Sequence, residues 1–492
     1  MDKSKIKTLG ELKASGYKSL SIKDEIRNNL IEKLRSKTKT FDGILGFENT
    51  VIPDIQRALL SRHNILFLGL RGQAKTRIAR LTTDLLNEYI PVLEGAELND
   101  DPLNPISRNA FDLIEELGDK APIGWIHRSE RYVEKLATPD VSVADLIGDV
   151  DPIKAASLKL PYSDERVIHF GLVPRAHRSI FVINELPDLQ PRIQVSLFNI
   201  LQEGDIQIRG FKLRLPLDIL FVFTANPEDY TNRGSIITPL KDRIESQILT
   251  HYPIDLAIAK EITKQEANIK EEQGKVVRVS EPIRDLLEQV VFAARSSELI
   301  DDKSGVSARL SITAMENLYS TVERRTILHG ESKSDARITD FWGIIPAITG
   351  KVELVYEGEQ EGPYNVAIGL IQDGIEQMFD ENFEDPNSKD AQENDDPYEV
   401  LKLWFSDGNT IMLNNEDSNK TYQDNLMKVP GLRGIVLHAI PDSEDVYFWM
   451  ELVLQGLAAK GVIQLQIDNN KLTFNDILSQ NLDEFNLDFE DL

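Results

Sequence analysis

Residues 64–76 read NILFLGLRGQAKT, an apolar run followed by a loop with glycines and then by a lysine and a threonine. The run Asn64–Leu68 is short enough for a buried strand, and RIARLTTDLL after Thr76 is typical of a helix. A loop between a strand and a helix directs several backbone N–H groups at one point, where the helix N-terminus adds positive potential. These residues therefore predict an anion-binding turn in an α/β protein.

Residues 69–76, hereafter the phosphate loop, follow the pattern G-x4-G-K-[ST], except that Ala74 replaces the last glycine. In this pattern Lys75 places its charge on the outer phosphates of a nucleotide, and the hydroxyl of Thr76 ligates Mg²⁺. We therefore expect ATP and Mg²⁺ as cofactors; an ordinary glycine turn is the alternative. The predicted nucleotide-binding residues of the loop are Gly69, Leu70, Arg71, Gly72, Gln73, Ala74, Lys75 and Thr76.

A second apolar segment, RSIFVINELPDL, leads into Asn184 and Glu185. In P-loop ATPases two acidic residues occupy this place; the first holds the hydration shell of Mg²⁺ and the second activates the attacking water. Glu185 is therefore the predicted general base, and Asn184 is the predicted metal-side residue. Because an amide supplies no charge, we expect weaker Mg²⁺ binding with hydrolysis retained. The alternatives are a protein that binds nucleotide without hydrolysing it and a simple strand cap.

Three further polar residues complete the predicted catalytic set. Asn226 follows the apolar strand of ILFVFTANPEDY and is predicted to face the γ-phosphate as a sensor. Arg243, in TPLKDRIES, is predicted to reach the nucleotide of a neighbouring subunit and stabilise transition-state charge. Arg309, which begins a helix in KSGVSARLSITAMENL, is predicted to touch the same phosphates. Turn chemistry for Asn226 and a surface ion pair for Arg243 are the alternatives.

Composition restricts the functional classes. The 492 residues include no cysteine, which excludes disulfides and thiolate metal sites, and the 7 histidines show no ligand spacing. A net charge of −26 disfavours sequence-independent binding of nucleic acid. The N-terminus lacks a secretory signal pattern and no apolar run is long enough to span a membrane, so we expect a cytoplasmic protein without a membrane partner.

Apolar periodicity divides the chain into segments. Strand candidates at Asn64–Leu68, Gly124–His127, Ser179–Ile183 and Ile219–Thr224 alternate with helices, which predicts a parallel sheet covered on both faces. A strong helix, YFWMELVLQGLAAKG, and a hairpin turning at Asp468–Asn470 are predicted near the end. The predicted segments are an N-terminal helical extension (1–40), an ATPase core (41–253), a helical lid domain (254–350), a transitional element (351–379), an acidic linker (380–397) and a smaller mixed C-terminal region with an acidic tail (398–492).

The motifs GLRGQAKT, RSIFVINELPDL, FVFTANPEDY, PLKDRIES and SARLS, in this order, resemble the AAA+ branch that contains the MoxR proteins and the ATPase subunit of magnesium chelatase. The resemblance covers roughly residues 40–345 and implies a P-loop AAA+ core with a helical lid. MoxR proteins also carry alanine before the P-loop lysine, so Ala74 suits them. Asn184 departs from the aspartate of both groups.

The resemblance also implies contacts and partners. Ile44, Leu45 and Gly46 are expected to lie nearest the adenine base, and residues 203–216 resemble the hairpin before the sensor strand. Relatives assemble as hexameric rings and usually work with a protein that bears a von Willebrand factor A domain. We therefore expect a homo-hexameric, MoxR-like motor that remodels a protein partner.

Two other functions stay open on the sequence. One is the ATPase motor subunit of a magnesium chelatase, and the other is a nucleotide-gated scaffold that does not hydrolyse ATP. A DNA-remodelling motor is disfavoured by the acidic charge and by the absence of a GAFTGA loop.

Overall fold

The computed structural model describes residues 6–162, 164–204, 206, 215–227, 235–388, 396–468 and 471–477. These residues belong to two compact units, Met1–Tyr252 and Pro253–Leu492. Most of the predicted hairpin at 203–216, part of the acidic linker and the acidic tail lie outside the described residues. In the described part of the chain, no helix combines the length and apolar character needed to cross a bilayer.

The first unit contains strands and helices in alternation. Its described strands are β1 (Ile65–Leu68), β2 (Tyr89–Leu93), β3 (Ile123–His127), β4 (Tyr132–Leu136), β5 (Gly148–Val150), β6 (Ile168–Phe170), β7 (Ser179–Asn184), β8 (Ile219–Ala225) and β9 (Ser246–Leu249). Its described helices are α1 (Leu9–Ala14), α2 (Ile22–Arg35), α3 (Val51–Leu60), α4 (Lys75–Leu81), α5 (Arg108–Leu117), α6 (Val143–Leu146), α7 (Pro152–Leu158), α8 (Leu172–Arg175), α9 (Pro191–Ser196), α10 (Phe198–Glu203) and α11 (Thr238–Lys241).

A parallel sheet in the order β4-β7-β8-β1-β9 forms the centre of this unit. Because side chains alternate along a strand, Ile180 and Val182 of β7 pack toward α4, whereas Phe181 and Ile183 pack on the opposite face. The predicted α/β fold class with a parallel sheet covered on both faces is therefore confirmed.

The strand predicted at Gly124–His127 exists, but its place in the parallel sheet was wrong. It belongs to β3, which pairs antiparallel with β2 in a separate ribbon, so that Tyr89 lies opposite His127. The fourth strand beside β7 is instead β4, an edge strand with half-exposed residues. An apolar run shows that a strand is buried, but it does not specify the partner with which the strand pairs.

The N-terminal helix α2 is fastened to the sheet by a buried ion pair. Arg131, which precedes β4, donates from Nη1 and Nη2 to the two carboxylate oxygens of Glu25 at 2.7 and 2.8 Å. The side chains are 0% and 4% exposed, and Arg131 Nε also donates to the carbonyl of Arg178 at 2.9 Å. Because a buried charge that loses its partner is costly, this pair fixes α2 against the start of β4.

The second unit is mainly helical. Its described helices are α12 (Leu256–Glu266), α13 (Glu271–Val276), α14 (Glu281–Ser296), α15 (Arg309–His329), α16 (Ile345–Thr349), α17 (Tyr356–Glu361), α18 (Pro363–Asn382), α19 (Glu399–Ser406), α20 (Asn419–Met427), α21 (Leu432–Ala439) and α22 (Val446–Ala459). Its described strands are β10 (Val277–Arg278), β11 (Ser334–Asp335), β12 (Ile411–Asn414), β13 (Gln464–Asp468) and β14 (Lys471–Asn475).

One hydrophobic cluster runs through this unit and includes Leu287 of α14, Leu318 of α15, Leu370 of α18 and Leu454 of α22. The predicted helix near the end is confirmed as α22, and the predicted hairpin is confirmed as the antiparallel pair β13 and β14. The stretch 351–379 contains α17 and most of α18, which ends at Asn382, inside the predicted linker.

Beside this cluster, the second unit buries a group of charged side chains, hereafter the Arg325 network. Arg325 donates to both oxygens of Asp340, at 3.3 Å from Nε and 2.9 Å from Nη2, and these residues are 2% and 0% exposed. Asn419 Oδ1 accepts from Arg325 at 3.0 Å and from Arg337 at 2.7 Å. The guanidinium of Arg337 lies 4.3 Å from the centre of the Tyr422 ring.

Candidate functional site

The carboxyl ends of three neighbouring strands bring the predicted site residues together. β1 leads into the phosphate loop, β7 ends at Asn184 with Glu185 after it, and β8 is followed by Asn226. Because β7, β8 and β1 are adjacent and parallel, these ends meet at one edge of the sheet. The spatial grouping expected from the motifs is therefore present in the first unit.

The phosphate loop is held close to the segment after β9. A Cβ atom on Gly69 would lie 2.0 Å from Thr250 Oγ1 and 2.2 Å from Gln73 Oε1, so any side chain here would displace these two groups. Thr250 Oγ1 donates to Gln73 Oε1 at 2.6 Å, and the hydroxyl of Tyr252 donates to the carbonyl of Arg71 at 2.9 Å. Sequence reasoning missed Thr250 and Tyr252 because it did not predict β9.

Two residues of the site have a left-handed backbone without being glycine. Ala74 has a φ of 56° at the N-terminus of α4, and Glu185 has a φ of 56° after β7. Such a conformation costs an L-residue about 1–2 kcal/mol, and strained residues concentrate at functional sites. The alanine in the phosphate loop therefore does not prevent the tight turn into α4, although glycine would form it with less strain.

Lys75 is 7% exposed and points back into its own loop. Its Nζ donates to the carbonyls of Gly69 and Leu70, the latter at 2.8 Å, and to Asn226 Oδ1 at 2.7 Å. Asn226 Nδ2 in turn donates to Glu185 Oε2 at 2.8 Å. The orientation of this amide follows from chemistry, because an ammonium group only donates and a carboxylate only accepts. Asn226 thus links the loop cation to the predicted general base.

A second chain of contacts starts from Thr76. Its Oγ1 donates to Asn184 Oδ1 at 3.4 Å, and Thr224 Oγ1 donates to the same oxygen at 3.2 Å. Thr224 Oγ1 also accepts from the backbone N–H of Glu185 at 3.2 Å. Sequence reasoning missed Thr224, although a polar residue inside the apolar strand ILFVFTA was a usable signal. This threonine therefore connects the side-chain amide of Asn184 to the backbone of Glu185.

The oxygens of Thr76 and Asn184 fit a magnesium ion in chemical type. Mg²⁺ prefers hard oxygen ligands, keeps several waters, and is usually bound by one or two protein groups together with substrate phosphates. Within the described ranges, no group of three or more acidic or histidine side chains is arranged to hold a metal by itself. Thr76 and Asn184 therefore match a site that nucleotide phosphates complete, although neither residue carries a charge.

The edge strand β4 adds a carboxylate that sequence reasoning did not identify. Glu134 Oε1 accepts from Asn184 Nδ2, and its Oε2 accepts from Arg80 Nη2 at 2.9 Å and from the Tyr132 hydroxyl at 3.0 Å. Burial and the neighbouring Glu134 charge raise the pKa of Tyr132 above its usual range, so the phenol stays protonated and donates. The polar strand YVEKL gave no apolar signal from which β4 could be predicted.

The segment predicted to contact adenine lies beside the same region. Ile44 is 3% exposed and belongs to the core cluster that contains residues of α4, whereas Leu45 and Gly46 are partly exposed. The ring of Phe47 meets that of His251 edge-on, with centroids 4.9 Å apart. Since His251 lies between the two residues that contact the phosphate loop, the segment is close to that loop. Its role toward adenine stays a prediction.

The two predicted arginines lie in different units. Arg243 follows α11, and its guanidinium donates to Gln202 Oε1 at 3.0 and 3.1 Å and to the carbonyl of Pro239 at 2.7 Å. It also lies 4.9 Å from the centre of the Phe198 ring. Arg309 is the first residue of α15 in the second unit. Both roles at the phosphates stay predictions.

The central parallel sheet, with the phosphate loop between β1 and α4, has the α/β arrangement that the sequence resemblance implied. No family model matches the chain. Similar solved structures include a chain from Cytophaga hutchinsonii described as an inferred ATPase, with 17% identity and a TM-score of 0.29 over 74% of this chain and 98% of that one.

Two other solved structures match the chain at comparable levels. The complex of the BchI and BchD subunits of magnesium chelatase matches with 19% identity and a TM-score of 0.33, over 65% of this chain and 98% of that one. NtrX of Brucella abortus in complex with ADP matches with 14% identity and a TM-score of 0.38, over 72% and 67% of the two chains. At these identities and TM-scores, the matches assign no activity to this chain.

Proposed function

We propose that this chain is an ATPase that binds Mg-ATP at the phosphate loop and hydrolyses it with Glu185 as general base. The observation that carries this proposal is the hydrogen-bonded chain from Lys75 through Asn226 to Glu185. Lys75 would exchange its carbonyl acceptors for phosphate oxygens when nucleotide binds. Asn226 would then hold the Glu185 carboxylate toward a water in line with the γ-phosphate.

Bound magnesium would neutralise charge on the phosphate oxygens. Thr76 and Asn184 would hold it, and Thr224 would keep the Asn184 oxygen directed at Thr76. Because the usual aspartate is an amide here, we expect weaker Mg²⁺ binding with hydrolysis retained. The substitution Asn184→Asp should lower the Mg²⁺ concentration that gives half-maximal ATPase activity.

The kinetic test compares the wild type with Glu185→Gln. Loss of the general base should lower the steady-state ATPase rate by about 100-fold or more while nucleotide binding, measured by calorimetry, is retained. Glu115→Gln is the matched control, because Glu115 is an exposed carboxylate on α5. Equal rates for Glu185→Gln and the wild type would contradict hydrolysis by this residue.

We further propose a MoxR-like role, in which a homo-hexameric ring remodels a protein partner in the cytoplasm, with a von Willebrand factor A domain protein as the expected companion. The sequence motifs support this role, and so does Arg243, whose hydrogen bonds to Gln202 lie at the protein surface. Pull-down with Glu185→Gln in ATP should recover the ring and its partner together. Recovery of a monomer alone would contradict the ring.

A nucleotide-gated scaffold is the second candidate. Asn184 favours it, because an uncharged metal side weakens the electrostatic stabilisation on which phosphoryl transfer depends. The scaffold predicts tight nucleotide binding with a wild-type ATPase rate no higher than that of Glu185→Gln, so the same assay separates the two functions.

A further inference from the structure

Glu134 lies on the same face of the sheet as the metal-side residue. In the parallel pairing of β4 with β7, Glu134 lies opposite Val182, and Leu136 lies opposite Asn184. Since side chains alternate along each strand, Glu134 and Asn184 both project toward α4, which carries Thr76. The edge strand thus brings a carboxylate to the side of the site where the usual aspartate is missing.

A line of polar contacts runs from Thr76 through Asn184 and Glu134 to Arg80. The amide nitrogen of Asn184 donates to Glu134, which leaves the amide oxygen to accept from Thr76. Arg80, one helical turn after Thr76 on α4, covers the outer oxygen of Glu134 at 2.9 Å. The Glu134 side chain is 26% exposed, whereas that of Arg80 is 67% exposed. Glu134 is therefore partly shielded from water.

The amide and the carboxylate compensate for each other chemically. An aspartate at position 184 would place a second carboxylate against Glu134, and two like charges at hydrogen-bond distance oppose each other. The amide removes this repulsion and donates a hydrogen bond instead. The negative charge at this edge therefore lies on Glu134 of β4 and not at position 184 of β7.

We propose that Glu134 is the positioning residue that supplies the negative charge for the magnesium side of the site, acting through Asn184. This inference rests on the proposed nucleotide-binding function. Groups behind the direct ligands of a metal orient those ligands and tune its affinity, and their loss typically weakens metal binding by about 10- to 100-fold. Glu134 turns the Asn184 oxygen toward Thr76 and places its charge behind that oxygen.

The measurement is the affinity for a non-hydrolysable ATP analogue, adenylyl imidodiphosphate, by calorimetry of the full chain in excess Mg²⁺ and in EDTA. The ratio of the two affinities, hereafter the magnesium advantage, does not depend on catalysis. The substitution Glu134→Gln keeps an acceptor for Asn184 but removes the charge. It should lower the magnesium advantage about 10-fold and leave the affinity in EDTA unchanged.

The double variant Glu134→Gln with Asn184→Asp moves the charge back to β7, and its glutamine amide can donate to the new aspartate. It should restore the magnesium advantage to within about three-fold of the wild type, which a merely structural role for Glu134 would not predict. The substitution Arg80→Gln is a control with the opposite expected effect. Removing this exposed cation should raise the magnesium advantage by about two- to five-fold.

Each outcome decides the inference. A wild-type magnesium advantage in Glu134→Gln, or no restoration in the double variant, overturns it and leaves the proposed function standing. If the wild type takes up no nucleotide in either condition, the proposed function fails and the inference fails with it. If thermal melting shows that Glu134→Gln unfolds, the other two variants test the inference. The double variant should then have a magnesium advantage close to that of the wild type, and Arg80→Gln should have a larger one.

Discussion

Two regions of the molecule bury polar side chains but are built differently. One is the site at the carboxyl ends of β1, β7 and β8 in the first unit, hereafter the strand edge, and the other is the Arg325 network of the second unit. At the strand edge, Lys75 is held by carbonyls of its own loop and by the amide of Asn226. In the network, Arg325 is fitted to both oxygens of Asp340, with both side chains almost fully buried.

The two regions differ in whether a ligand can replace the contacts of the buried cation. Lys75 donates only to neutral oxygens, so a bound anion can replace these contacts without leaving a buried charge unpaired. A buried carboxylate such as Asp340 has no such replacement and depends on its guanidinium. We therefore expect substitutions at the edge to affect binding, and substitutions in the network to affect folding.

The largest effect is expected for Arg325→Met. It leaves Asp340 charged and buried, so the free energy of unfolding should fall by about 3–5 kcal/mol, as measured by chemical denaturation of the full chain. Arg324→Met is the matched control, because Arg324 is 63% exposed in its pair with Glu416 and should change stability by less than about 1 kcal/mol. Equal effects for the two variants would remove the distinction between the network and the surface.

A smaller effect is expected from pH, through Glu451 of α22. Burial raises the pKa of this carboxyl from 4.5 to about 7, although the Tyr422 hydroxyl, which donates to it at 2.6 Å, and the charge of Arg337 lower it. Between these pH values the folded protein holds a proton that the unfolded chain releases. The free energy of unfolding should therefore decrease by about 3 kcal/mol as pH rises through this window.

The corresponding measurement is the unfolding free energy from pH 4.5 to pH 7 in the wild type and in Glu451→Gln. The glutamine cannot ionise, so the decrease with pH should be smaller in the variant by the amount that Glu451 contributes. Glu288, whose pKa burial likewise raises to about 7, keeps its own contribution in both proteins. Parallel pH curves for the two proteins would contradict the assignment to Glu451.

The smallest effect on stability is expected for Lys75→Met, at the strand edge. The acceptors that lose the lysine are neutral oxygens, so the free energy of unfolding should fall by only about 1–3 kcal/mol. Calorimetric uptake of Mg-ATP should nevertheless fall by about 100-fold or more, because a charge-assisted contact to phosphate is lost. A large loss of stability without a loss of binding would make Lys75 comparable to Arg325 and contradict its role as a ligand.

The sequence predicted the parts of the molecule that have local signals. The phosphate loop, β7 and β8 are short-range patterns, and the hairpin of β13 and β14 could be predicted from two alternating runs beside a turn. By contrast, β4 is an edge strand, whose half-exposed residues carry no apolar run. Glu134 was missed with it, because its relation to Asn184 depends on strand pairing rather than on spacing.

The Arg325 network could not be predicted from the sequence either. Its members come from α15, α20 and the segment around Asp340, and they meet only when the second unit has folded. In the sequence, its arginines and its aspartate have the same local context as solvated charged residues. Charged residues are rarely buried, so periodicity alone assigns them to the exterior.

The ion pair between Glu25 and Arg131 has a practical consequence for anyone designing a shorter version of the protein. A fragment starting at Phe41 would contain all the sequence motifs, but it would lack Glu25. Arg131, just before the strand that carries Glu134, would then have lost its counter-ion. Trimming the N-terminus would thus remove the anchor of the strand that carries Glu134. A fragment that retains Ile22–Arg35 keeps this anchor.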